Sequence, residues 1–114
     1  MLDVSQERFE ELVADGLDAV PDEIARLMDN VVVMVEEGRR PDLMGLYEGV
    51  PLTERDESYG LMAMPDRITI YRRAILAACR TEGEVVAEVR TTVIHEVGHH
   101  FGIDDDRLHE LGWG

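Results

Sequence analysis

Cysteine is nearly absent from this chain: Cys79 is the single thiol in 114 residues. An intrachain disulfide is therefore excluded, and so is a zinc site built from several thiolates. The N-terminal stretch MLDVSQERFEE lacks the basic start and apolar core of a secretion signal. No apolar run approaches the roughly 18 residues needed to cross a bilayer. Positive charge is also scarce, with 11 Lys and Arg against 25 Asp and Glu and a formal net charge of −14. Charge of that sign repels phosphate backbones and anionic lipid headgroups, so neither nucleic acid nor membrane is expected as a partner. Repeats, low-complexity tracts and Gly/Ser linkers are missing too. Residues 1–114 read as one soluble, cytoplasmic domain around one core.

What is present is a sequence of short amphipathic units. SQERFEELVADGLDAV carries Phe9, Leu12, Val13, Leu17 and Val20 at helical spacing, with Ser5 as its N-cap. Pro21 ends that helix and opens PDEIARLMDN, which has acids in its first turn and stops at Asn30. The β-branched run VVVMVEE from Val31 suits a buried strand. LMGLYEGV and RITIYRR alternate as strands do, and Gly49 with Pro51 makes the first an edge strand, Gly45 to Val50. PLTERDESYG between them reads as a surface loop, and Met62 and Met64 as core positions sharing one strand face. TEGE from Thr81 is a capping box, in which Glu84 reaches back to the backbone, and a helix runs from it to about Phe101, where Gly102 stops it. The closing DDDRLHELGWG is expected to hold a short turn of helix.

The chemistry lies on that last long helix. Val86, Val89, Val93, Val97 and Phe101, flanked by Ile94, form a stripe that can pack on a sheet. His95 and His99 fall on roughly the opposite side. Four residues apart, they are separated by about 40° and one turn, so two imidazoles can converge on one ion. Glu96 projects beside them, where a carboxylate reaches a metal-bound water without being a ligand itself. The helix offers only one narrow face, so a third ligand must come from outside it. Gly102 permits the turn that would return Asp105 to the ion. A H-E-x-x-H pattern alone is only suggestive; Gly102 and Asp105 at their spacings, together with the helical phase, make coincidence a poor explanation.

The other candidates carry structural readings. His100 lies near the apolar stripe and is read as a packed or hydrogen-bonded residue. His109 could approach the metal only through the terminal turn. Asp104 and Asp106 are read as solvated. Tyr47, Tyr59 and Tyr71 are each possible donors to an oxyanion, and nothing in the sequence selects among them.

HEVGHHFGIDD fits H-E-x-x-H-x-x-G-x-x-D, the pattern of zincin metallopeptidases whose third ligand is aspartate, and resembles the metzincin pattern with Asp105 in place of the usual histidine. In the wider context, LYEGVPLTER, PDRITIYRR and TTVIHEVGHHFGID are similar to the small bacterial zincin-like metallopeptidases over roughly the last two-thirds of the chain. The resemblance implies one catalytic zinc held by His95, His99 and Asp105, with Glu96 as general base. It also implies a compact α/β (α+β) domain in which a small mixed sheet packs against a long active-site helix and N-terminal helices. A strand edge above the zinc would bind extended peptide. Only nine residues follow Asp105, so a metzincin Met-turn is not expected.

The leading expectation is therefore a zinc metallopeptidase acting on peptides or unfolded protein segments. A zinc-stabilised binding module without turnover is the alternative from another class; a fourth protein ligand such as His109 would favour it, and the presence of Glu96 opposes it. A metal-dependent ribonuclease is the third reading, because bacterial ribosomal-RNA maturation endonucleases resemble this spacing. They carry histidine where Asp105 stands, and the negative charge opposes RNA.

Overall fold

In the computed structural model, which describes residues 2–49 and 65–113, the elements run α1 (Gln6–Asp18), α2 (Asp22–Leu27), β1 (Val31–Glu36), β2 (Gly45–Glu48), β3 (Asp66–Tyr71), α3 (Arg72–Ala78), α4 (Glu82–His100) and α5 (Asp105–Glu110). Each helix start has a local cause. Ser5 Oγ accepts from the Arg8 N–H at α1, and Pro21 precedes α2 with Asp22 and Glu23 in the first turn. At α4 the Thr81 hydroxyl accepts from the Glu84 N–H at 3.1 Å, while the Glu84 carboxylate accepts from the N–H of Arg80, one residue before the cap. No helix among the described residues is long and apolar enough to cross a membrane.

The three strands form a mixed sheet in the order β1-β3-β2. β1 pairs in parallel with β3, Val33 opposite Ile68, and β2 pairs antiparallel to β3, Tyr47 opposite Ile68. The central strand buries Ile68, Thr69 and Ile70 almost fully, whereas β1 and β2 alternate. β2 is thus an edge strand, as the sequence suggested. It is shorter than Gly45 to Val50, ending at Glu48, and Val50, the loop PLTERDESYG, Tyr59, Met62 and Met64 lie outside the described residues. RITIYRR is strand only to Tyr71. From Arg72 the chain turns into α3, because AILAA is made of strong helix formers and the Arg73 N–H already donates to the Glu37 carbonyl at 3.0 Å.

One apolar cluster joins these layers: Phe9, Leu12 and Val13 of α1, Ile24 of α2, Ile68 and Ile70 of β3, Ile75 and Leu76 of α3, the valines of α4, and Leu108 of α5. Cys79 is buried at its margin, and burial, with Glu88 and Glu84 nearby, pushes its thiol pKa up and keeps it unreactive. The buried line on α4 is Val85, Val89, Val93 and Val97, with Thr92, Ile94 and Gly98. Val86 is only partly buried, and Phe101 is 46% exposed. The expected stripe is therefore displaced at both ends. Phe101, the C-cap residue, lies past the last helical turn and leaves the core.

α1 and α4 cross closely at Gly16, where a built Cβ would stand 2.7 Å from Val89 Cγ1 and 3.0 Å from the Val86 carbonyl oxygen. A side chain there must push two helices apart. Gly16→Val should lower stability by about 2 kcal/mol, read in urea titration as a lower midpoint with an unchanged slope.

Candidate metal centre

Two local features bring Asp105 back to α4. The helix ends in a Schellman motif: the Ile103 N–H donates to the Gly98 carbonyl at 2.8 Å, the Gly102 N–H donates to the His99 carbonyl at 3.1 Å, and Gly102 adopts φ +82°. The chain then reverses, and Asp104 starts α5 by accepting the Arg107 N–H at 2.9 Å. Leu108, fully buried, seats α5 on α4 directly over Gly98, whose missing side chain makes the room; a Cβ there would lie 3.2 Å from both Leu108 methyl carbons. Gly98, one of the two unspecified positions of H-E-x-x-H, is thus a packing device. Asp104, expected to be merely solvated, is the N-cap of the helix that carries Asp105 in its first turn. An Asp three residues before an N–H it can accept is a cap signal present in the sequence.

The result is a cluster of three donors. His95, His99 and Asp105 each offer one ligand atom, and these atoms lie within 4.8 Å of one another. His99 Nε2 is 2.7 Å from Asp105 Oδ1, and His95 Nδ1 is 3.7 Å from the same oxygen. The hydrogen bond to His99 holds the Asp105 carboxyl below its usual range, against a partial desolvation that raises it; the charges of His99 and His95 add to the lowering. Among the described residues His95 finds no hydrogen bond at either ring nitrogen, and its Nε2 is buried without a partner. An unsatisfied imidazole beside a second imidazole and a carboxylate is a donor set that fits a divalent cation of the zinc type, which needs deprotonated nitrogen and oxygen ligands. His109 sits on α5 outside this group.

Glu96 points to a different neighbour. Its Oε1 accepts the backbone N–H of Tyr47 on β2 at 3.1 Å. β2 lies along α4 because Gly45 has no side chain: a Cβ there would stand 2.5 Å from Thr92 Cγ2 and 3.7 Å from Glu96 Cγ. Met44 accepts from Tyr71 in the ladder with β3, so by alternation the N–H and C=O groups of Gly45 and Tyr47 face the free edge, toward the helix. The candidate base is therefore held against the sheet edge. Nothing in the sequence signals this long-range contact.

The tyrosines separate. Tyr47 donates its hydroxyl to Asp66 Oδ2 at 2.7 Å and stacks on His100 with ring centroids 4.0 Å apart. Phe101 meets the His100 ring edge-on, at 5.0 Å. His100 is thus packed, though at the surface rather than in the core. Tyr71 lines a separate cavity with Glu36, Gly38 and Leu43. The groove at the candidate centre, about 240 Å³, lies between Asp42–Gly45 and the Glu88, Thr91, Thr92, His95 and Glu96 side of α4.

Comparison with known proteins matches residues 17–113 to the model of a family described as zincin-like metallopeptidase. Among solved structures, a conserved hypothetical protein from Thermo thermophilus is similar at a TM-score of 0.53 and 27% identity, covering 85% of this chain and 94% of that one. No curated protein matches.

If the cluster is the metal site, the purified protein should bind one zinc by elemental analysis, and His95→Ala or His99→Ala should abolish tight binding. Asp105→Ala should weaken it in competition with a chromogenic chelator. Asp104→Ala should instead cost about 1 kcal/mol of stability through the lost cap. Full occupancy in both histidine variants would place the metal elsewhere.

Proposed function

This chain belongs to the zincin-like metallopeptidase family, and on that premise we propose that it is a zinc-dependent peptidase acting on peptides or unfolded protein segments, with His95, His99 and Asp105 as ligands and Glu96 as general base. The observation that carries this reading is the pairing of a three-donor cluster with a carboxylate that is not part of it, held by the sheet edge instead. Among the described residues no fourth His, Cys, Asp or Glu joins the cluster. Three protein ligands with an open position is the pattern of catalytic rather than structural zinc sites. That favours turnover over a zinc-stabilised binding module.

Bound at this cluster, zinc would supply a water whose pKa is lowered to about 7 and a Lewis acid for the scissile carbonyl. The rest falls to the chain's own groups. His99 Nε2 and Asp105 Oδ1, which share a proton in the hydrogen bond between them, would serve as ligands once that proton is given up. Glu96 takes the proton of the attacking water and delivers it to the leaving amine. The Tyr47 N–H fixes one Glu96 oxygen, so the other carries the proton without the side chain swinging between rotamers. With the Tyr47 N–H engaged by Glu96, the Gly45 N–H and C=O and the Tyr47 C=O are the edge groups with which an extended substrate pairs as an added strand. The Tyr47 hydroxyl is engaged by Asp66 and is a poor choice of oxyanion donor. The −14 charge opposes the ribonuclease reading, and the single buried Cys79 suits a reducing compartment such as the cytoplasm.

Glu96→Gln should keep fold and zinc while lowering turnover by roughly a hundredfold or more. The measurement is mass-spectrometric cleavage of a mixture of peptides and unfolded proteins, with chelator-treated protein as the control. Unchanged cleavage in the Glu96→Gln protein would sink the mechanism, and no cleavage by the wild type across a broad library would leave the binding module.

A further inference from the structure

The groove beside the candidate centre has a far end that the chemistry at the metal does not use. It is walled on one side by Asp42, Leu43, Met44 and Gly45 and on the other by α4, and at about 240 Å³ it is smaller than the pockets that take whole small molecules. A single side chain fits it. Glu88 stands on the same side of α4 as His95, seven residues earlier, which at 1.5 Å per residue puts it roughly 10 Å from the metal end. It is partly buried and has no hydrogen bond or ion pair with any described residue. Asp42, at the opposite lip, is paired with Arg40, but both are about two-thirds exposed, so water and salt screen that pair. Among the described residues no Lys or Arg lines the groove; its charged walls are Asp42, Glu88 and Glu96, with His95 at the metal end.

We propose that this groove is a specificity pocket for a cationic side chain, Arg or Lys, of the substrate residue next to the bond cleaved, with Glu88 as its recognising carboxylate. The inference rests on the peptidase reading only for where the substrate backbone lies. Length and charge select the occupant together. From a backbone held along β2 over the metal, only Arg and Lys combine reach toward the end of a groove of that length with positive charge. Leu43, Met44 and the Thr92 methyl bracket the aliphatic stem, as long cationic side chains require when their head alone seeks a charge. The net charge of −14 acts in the same direction at longer range, drawing basic segments to the surface.

The test uses the zinc-loaded full chain carrying Glu96→Gln, which binds without cutting, and three fluorescein-labelled ten-residue peptides of Ala, Ser and Leu that differ at one central position: Arg, Gln or Glu. Fluorescence anisotropy should rank Arg over Gln over Glu, with about fivefold between the first two, the worth of one partly screened ion pair. Adding Glu88→Lys should reverse the order, and raising the salt should compress it. Glu88→Gln, which keeps size and removes charge, should erase the Arg preference and guards against misfolding of the charge reversal. Equal binding of the three peptides, no binding of any, or an Arg preference that survives both Glu88 substitutions would overturn the proposal. The same peptides offered to the protein with Glu96 intact separate the two readings. Ranked binding without cleavage defeats the peptidase and leaves the pocket; cleavage indifferent to the central residue defeats the pocket and leaves the peptidase.

Discussion

The apolar seam on α4 is the constraint on which the rest of this structure depends. Val85, Val89, Val93 and Val97 are completely buried against α1 and the sheet, which fixes the rotation of the helix about its own axis. Once that angle is set, His95 and His99 have only one direction in which to project, and Thr92, Glu96 and His100 must lie under β2. A rotation by one residue, about 100°, would bury the imidazoles and expose valine. The face that carries the candidate donors is thus oriented by hydrophobic packing on the opposite side of the helix.

Small residues then set distances. Gly16 lets α1 reach Val89, Gly45 lets β2 reach Thr92, and Gly98 lets Leu108 bring α5 down. At each point the absent side chain is replaced by a neighbour's methyl group, so the helix is contacted closely on three sides. The contact between the Tyr47 N–H and Glu96 follows from the second of these approaches, and the position of Asp105 follows from the third. Both sides of the candidate centre therefore depend on glycines that carry no chemistry.

Legibility in the sequence follows the range of the interactions. Caps at Ser5 and Thr81, the stop at Gly102 and the spacing of His95, His99 and Asp105 are all settled within about a turn or two of chain, and the structure brings those three side chains together. α3 does not show itself in the pattern, because AILAA follows a strand without a Gly or Pro boundary and a short apolar run does not declare its period. The stripe on α4 is displaced at both ends, with Val85 fully buried in place of Val86 and Phe101 outside the core, a shift that depends on which neighbours pack on the helix and that periodicity alone does not reveal. The Asp104 cap has a readable signal of its own, masked by the adjoining acids Asp105 and Asp106. What no pattern carries is the docking of the edge strand on Glu96, a meeting of residues 49 positions apart.

The donor cluster is drawn from one continuous segment, residues 95–105, through a turn closed by Gly102. An ion held there bridges the chain to itself across a loop of only a few residues, and so short a closure removes little freedom from the unfolded ensemble beyond what the helix and turn already remove. Metal binding at this cluster and folding would therefore be weakly linked. Unlike a zinc finger, whose ion gathers distant parts of the chain, this domain keeps its architecture by its apolar seam, and α5 itself is seated by the buried Leu108. A metal bound at this cluster would come and go without the chain having to fold again.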